Sequence, residues 1–162
     1  MASTYSTSLK LELQATGENA GTWGDKTNTN LQLVEQAVGG YEEVSIAGGA
    51  GTTALTMSDG AASNARNMVV KLTGTITGNR IVTVPDSMEK VYIVSNGTTG
   101  SFTVQFKTAS GTGYTFVAAD KSVRVLFADG TNVVDTGIIN TSSTDTLTNL
   151  SLIHISEPTR LE

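Results

Sequence analysis

Histidine, cysteine and paired carboxylates are the side chains that most often move protons, attack electrophiles or hold metals. The chain has one histidine, His154, and no cysteine. Up to residue 149 a Ser–His–Asp arrangement therefore cannot be assembled, and disulfides and thiolate metal sites are excluded. Carboxylates remain, in Glu42–Glu43 and in Asp129 with Asp135. Neighbours along a strand point to opposite faces, so Glu42 and Glu43 cannot share a substrate. The run Asp129-Gly130-Thr131-Asn132 is oxygen-rich, but it lacks the alternating acids and closing Glu of a calcium loop, and turn chemistry accounts for it. Gly48-Gly49-Ala50-Gly51 and Gly111-Thr112-Gly113 are followed by no Lys-Ser/Thr and no helix, so they do not read as phosphate cradles. They read as hairpin tips or close backbone approaches. The residue types predict no catalytic, cofactor-binding or metal-binding set.

The elements that would have to position any site are short and polar. Of 162 residues, 26 are Thr, 15 Ser and 17 Gly, while 38% are hydrophobic and 6% aromatic. Thr suits pleated strands and Gly suits turns. So thin a supply of core residues points to neighbouring subunits that complete the core. The net charge is −5, and the ten Lys and Arg are scattered singly. No basic patch exists to neutralise a row of phosphates, which argues against nucleic acid as a partner. Residues 1–10 have neither the basic nor the apolar region of a signal peptide, and no apolar run approaches the ~20 residues needed to cross a bilayer.

Along the chain, Leu9, Leu11 and Leu13 alternate with Lys10 and Glu12, the pattern of an extended arm or short strand. Leu31, Val34 and Val38 then recur at helical spacing, with Leu33 and Ala37 beside them, predicting one short helix over about residues 26–38. Asp25 or Thr27 would cap its start and Gly39-Gly40 would stop it. Strands are predicted at 43–47, 53–56, 67–72, 80–84, 90–95, 102–107, 114–117, 122–128 and 132–136. Phe102, Val104 and Phe106 share one face, and Val123, Val125 and Phe127 share one face against Arg124. Asn96-Gly97 and Asp129-Gly130 read as hairpin turns. Strands at this spacing without intervening helices predict a mainly β fold, an antiparallel sandwich or roll preceded by an extended arm and one helix. The expected organisation is an arm plus helix over 1–40, a β domain over 41–138 and the start of a linker at 139–149.

Trp23 is the single tryptophan. Packing considerations place it as a core anchor between helix and sheet. The alternative, an interface residue flanked by Gly21 and Gly24, suits a ring that enters a partner's pocket. Asn28 and Asn30 are mediocre helix formers, which suggests capping or bonds to a neighbouring chain.

The residues Gly17, Gly21, Trp23 and Gly24, in the order G-x-x-x-G-x-W-G, are followed by Asn28-x-Asn30 and an amphipathic helix. Ser3–Ser8 and Leu9–Leu13 precede them, and LFADGTNV follows at 126–133. Over about residues 1–138 this combination resembles tail-fibre and related virion proteins of tailed bacteriophages, of the kind found in aquatic viral metagenomes. The resemblance implies a non-enzymatic virion structural protein, the tail-proximal part of a fibre or fibre adaptor, acting in assembly and host attachment. It also implies a homotrimer whose chains complete one another's cores, with other tail proteins as partners and release by lysis. Trp23, Gly21, Gly24, Asn28, Asn30, Leu31 and Val34 are the candidate assembly residues. The alternative is a carbohydrate- or receptor-binding β-sandwich using Tyr92 and Tyr114 as an aromatic pair. Residues 150–160, LSLIHISEPTR, resemble the codon-for-codon translation of a sequencing-library adapter. The 150–162 segment is accordingly expected to be non-native. The reading frame is expected to continue naturally beyond residue 149, with any glycan-binding part in the missing portion.

Overall fold

A computed structural model describes residues 2–138. The expected linker at 139–149 and the adapter-like segment at 150–162, with His154, lie outside the described residues. The fold is mainly β, with an N-terminal arm and one α-helix, as the residue pattern predicts. The arm is a small hairpin, β1 (Thr4–Tyr5) pairing antiparallel with β2 (Glu12–Leu13), and Lys10 turns the chain at φ 54°. Helix α1 spans Trp23–Gly39, starting three residues before the expected point, so Asp25 sits in its first turn and not at its cap. Gly40 ends it as expected, donating its N–H to the Gln36 carbonyl at 2.9 Å.

Every predicted strand forms: β3 (Tyr41–Ser45), β4 (Gly51–Ala54), β5 (Val69–Thr73), β6 (Arg80–Val84), β7 (Glu89–Asn96), β8 (Val104–Thr108), β9 (Gly113–Phe116), β10 (Val123–Asp129) and β11 (Val133–Asp135). They build two sheets, in the orders β11-β10-β7-β5-β3 and β4-β6-β8-β9. The pairing is mixed where an antiparallel arrangement was expected. β3–β5, β5–β7, β4–β6 and β6–β8 are parallel. β10–β7, β10–β11 and β8–β9 are antiparallel. The parallel pairs arise because the chain alternates between the sheets in coils: β3 to β4, β5 to β6, β7 to β8. The second and third coils stack 24 residues apart, Val70 on Val94 and Val82 on Phe106. Parallel neighbours need a long crossover, and here the crossover is the strand in the opposite sheet. Asn96-Gly97, read as a hairpin, is instead a corner of this coil.

One core fills the space between the sheets. Val70, Leu72, Tyr92, Val94, Leu126 and Ala128 from one side meet Val82, Val84, Val104, Phe106 and Phe116 from the other. The Tyr92 and Phe106 rings bridge the sheets edge to face, with centroids 5.4 Å apart. Where the third coil ends, polar residues replace the apolar repeat. Asn96 takes the place of Leu72, yet its side chain is fully used: Nδ2 donates to the Asp120 carbonyl at 2.6 Å, and Oδ1 accepts from the Thr98 hydroxyl at 2.7 Å. Thr108 takes the place of Val84 and donates its hydroxyl to the Thr131 carbonyl. These bonds tie the last coil to the closing strands. Gly111 lies so near Thr131 that a Cβ would be 1.8 Å from its carbonyl oxygen, so this glycine is a close backbone approach. Asp129-Gly130 is a hairpin turn as predicted. The Asp129 carboxylate accepts from the Asn132 amide and then the Thr131 amide, which lowers its pKa. Asp135 is separately engaged with Arg124 at 3.7 Å, so the two acids do not pair.

Beneath the sheet edge, Arg66 is fully buried. Its Nε donates to the Leu9 carbonyl at 3.1 Å and its Nη2 to the Ser58 carbonyl at 2.7 Å. Its Nη1 meets Gln36 Oε1, Ser63 Oγ and the Ala61 carbonyl. Lys90 lies beside it, donating to the carbonyls of Arg66 and Asn67 and standing 4.3 Å from the Tyr92 ring centroid. Burial first, then the neighbouring Arg66 charge, pushes the Lys90 ammonium down to about 8. Burial raises Tyr92 above the ordinary phenol value.

The two groups set opposite pH slopes. Between about 8 and 10.5 the unfolded chain holds the Lys90 proton that the folded chain has released, so stability rises with pH. Above about 10 the unfolded Tyr92 ionises while the folded one resists, so stability falls. The urea midpoint should climb between about pH 8 and 10 and then decline. Lys90→Met should flatten the climb. A Lys90→Met midpoint that climbs as steeply as the parent's would show that Lys90 is not its source.

Candidate functional site

Helix α1 has two working faces. One carries Lys26, Asn30, Leu33, Gln36 and Ala37 and meets the arm and the Arg66 region. Leu33 is its one buried residue. Asn30 is placed as a clamp. Its Oδ1 accepts from the Glu12 amide at 2.9 Å, and its Nδ2 donates to the Glu12 carbonyl at 2.8 Å. The Glu12 side chain adds a 3.1 Å ion pair with Lys26 and accepts from Asn19 at 3.0 Å. Those contacts, the Asn19 bond foremost, lower the Glu12 pKa. An amide reaching back to a backbone donor and acceptor pairs with β2 as a third strand would. Asn30, expected to cap the helix or to bond a neighbouring chain, instead bonds its own arm. Asn28 is exposed on the helix.

The second face is apolar and uncovered. Trp23, Leu31, Val34 and Val38 are 65, 62, 38 and 68% exposed. The expectation that Trp23 anchors the core is overturned. The helix begins at Trp23, and the side of α1 that meets the body is occupied by Lys26, Asn30 and Leu33, which leaves the ring outside. Leu31, Val34 and Val38 recur at i, i+3 and i+7, the spacing that packs one helix against another. Thr27 continues the line one turn back toward Trp23, its hydroxyl bonded to the Trp23 carbonyl at 2.9 Å.

The glycines of the motif divide by cause. Gly21 has φ 82°, a left-handed conformation that L side chains rarely adopt. Gly24 has ordinary helical geometry and a Cβ there would meet nothing within 4 Å. Its own chain gives it no reason to be glycine. The structure thus gathers Trp23, Gly24, Leu31 and Val34 around one uncovered helix stripe, while Asn30 beside it bonds the arm and Gly21 shapes the entry.

The pair proposed for sugar stacking does not form a platform. Tyr92 is fully buried, with its hydroxyl donating to the Ala65 carbonyl at 2.8 Å. Tyr114 is half-buried and donates to Asp120 at 3.0 Å. The exposed tyrosines are Tyr5 and Tyr41; the Tyr41 hydroxyl donates to Glu43 while Lys71 pairs with the same carboxylate at 2.8 Å.

Val123, Val125 and Phe127 share one face of β10 opposite Arg124, as the alternation predicts, and that face is the outer one. In β10 the buried set is Arg124, Leu126 and Ala128, and the exposed set includes Val123 and Phe127. Arg124 enters the core side because Asp120 at 3.6 Å and Asp135 answer its charge and its guanidinium lies over the Tyr114 ring at 5.2 Å. The signal available in advance was the pair of acids flanking β10.

Among the described residues no helix is long and apolar enough to cross a membrane, and no three His, Cys, Asp or Glu cluster as metal ligands. Comparison with family models, with curated proteins and with solved structures finds no match for the chain.

Two outcomes check these placements. Asn30→Ala removes two hydrogen bonds worth about 1 kcal/mol each. It should speed amide exchange across residues 4–13 while leaving β5–β8 protected, and unchanged exchange in the arm would refute the clamp. Trp23→Ala should leave the stability of the isolated chain within about 0.5 kcal/mol, checked by urea unfolding at high dilution. A loss of several kcal/mol would mean the ring is packed.

Proposed function

We propose that this chain is a non-enzymatic virion structural protein, the tail-proximal part of a bacteriophage tail fibre or fibre adaptor, which works by assembling with copies of itself. The observation that carries the reading is the apolar face of α1. Leu31, Val34 and Val38 at helix-pairing spacing, with Trp23 in line with them, are exposed on a helix whose adjoining stripe is clamped to its own arm by Asn30, Glu12 and Lys26. A helix held on one face and left apolar on the other is prepared to pack on a like helix. The N-terminal motif that resembles phage fibre proteins supplies this face: Trp23 begins the stripe and Gly24 keeps its margin open. Three helices joined along Leu31, Val34 and Val38 would let three thin-cored chains share one apolar centre, with the N-terminal arm offered to the tail.

The test is the solution mass of the full chain by light scattering on a sizing column, alongside Leu31→Asp. The expected result is three times the 16.8 kDa chain mass, falling to one chain for Leu31→Asp with its β-sheet circular dichroism retained. A monomer at every accessible concentration would overturn the reading.

A further inference from the structure

The stack of coils is left open at its first coil. β3 and β4 end their sheets, and α1 packs on the arm and on the turn at Asn64–Arg66, not along β3. Bonding to the second coil uses alternate residues. The Gly40 carbonyl accepts from the Val69 amide and the Ile46 amide donates to the Thr73 carbonyl, so Glu42 and Val44 between them also turn their backbone toward β5. Glu43 and Ser45 turn theirs the other way. In β4 the Gly51 and Leu55 amides donate to the Asn79 and Thr83 carbonyls, which leaves Thr52 and Ala54 facing outward. Among the described residues nothing pairs with these outward groups, and Glu43, Ser45, Thr52 and Ala54 are exposed. A bare sheet edge is ordinarily guarded by lysine, proline or a bulge. The sequences of β3 and β4, YEEVS and GTTA, contain neither lysine nor proline.

The edge also has a sign. Residues 27–65, which include the whole first coil, contain no Lys or Arg and four acids, Glu35, Glu42, Glu43 and Asp59. Glu42 and Glu43 are neighbours on the edge strand and point to its two faces. Lys71 answers Glu43 at 2.8 Å, whereas Glu42 meets the neutral side-chain amide of Asn67 at 3.4 Å.

We infer that the β3 edge is a docking site for an extended segment of a different protein, one that carries lysine or arginine and adds to the five-stranded sheet as a further strand. Backbone groups free at alternate residues are met by another extended backbone, which supplies affinity while its side chains supply selectivity. Consecutive basic residues on such a strand point to opposite faces, so one meets Glu42 and the next meets Glu43. A second copy of β3 is disfavoured for the same reason, because it would set these acids against their like. The site is separate from the uncovered stripe of α1 and does not depend on the helix-mediated assembly.

The test uses the full chain with the amidated peptide TVTKKVTV and its acidic counterpart TVTEEVTV. At low salt the lysine peptide should bind at least about tenfold more tightly than the glutamate peptide, and its binding should weaken as salt rises. Amide exchange reads the register. On binding, the Glu43 and Ser45 amides should become protected, while those of Val44 and Ile46, already turned to β5, keep their rates. Ser45→Lys places a like charge on the edge and should abolish binding of the lysine peptide, whereas Thr115→Lys on β9 should leave it unchanged. Leu31→Asp should bind the peptide as the parent does, whatever its mass, which separates this site from the helix surface. Equal affinity for the two peptides, or no new protection at Glu43 and Ser45, would overturn the docking site. Glu43 and Ser45 amides already protected in the free chain would overturn it too, since the edge would then be occupied by this chain itself.

Discussion

A buried guanidinium must have its N–H donors met, and around Arg66 that requirement reaches three separate stretches of chain. The Leu9 carbonyl comes from the arm, Gln36 from the helix, and Ser58, Ala61 and Ser63 from the loop leading into β5. No carboxylate among the described residues forms an ion pair with it; carbonyl and hydroxyl oxygens take its hydrogen bonds. Neutral acceptors leave the charge only partly offset, so burial lowers the Arg66 pKa; Lys90 beside it is held down to about 8 by its own burial first and then by the Arg66 charge. The same geometry explains how a helix with one buried residue stays in place. It is held by polar bonds at its inner face, through Gln36 to Arg66 and through Asn30 to Glu12, and Trp23, Leu31, Val34 and Val38 stay exposed.

The β domain solves a different problem, that of closing a coil. Three coils stack with a regular register, and a stack of parallel strands has edges that invite further pairing. At the β7–β8 end the chain turns back in antiparallel β9, β10 and β11. Asn96 and Thr108, buried at positions where the previous coil has Leu72 and Val84, supply the hydrogen bonds that hold those closing strands. At the other end β3 and β4 remain edge strands. The polar substitutions are thus the point at which a repeat becomes a finished domain.

The thin hydrophobic supply is also less evenly spent than composition suggests. Val91, Val125, Phe127 and Val134 face outward, while Arg124 and Asn96 are spent inside. Such a distribution costs a single chain apolar burial at about 25 cal/mol per Å².

Much was legible from the residues alone. Alternation located all nine strands beyond residue 41, helical spacing located α1, and Gly40 and Asp129-Gly130 marked the ends that chain geometry requires. These are local properties, set by backbone sterics and side-chain period within a few residues. Tertiary structure decided the rest. Alternation shows that Val123, Val125 and Phe127 share a face, but not that the face is the outer one; that depends on Asp120 and Asp135 meeting Arg124 inside. The 24-residue stacking keeps only residue class, as in Val69 with Ile93 or Val82 with Phe106, so parallel pairing was hidden behind turns that looked like hairpins. Trp23 carried the strongest aromatic signal and was assigned to the core, yet it lies at the first turn of α1 and is exposed. A side chain's period is written along the strand or helix, whereas its direction is set by whatever the rest of the chain places opposite it.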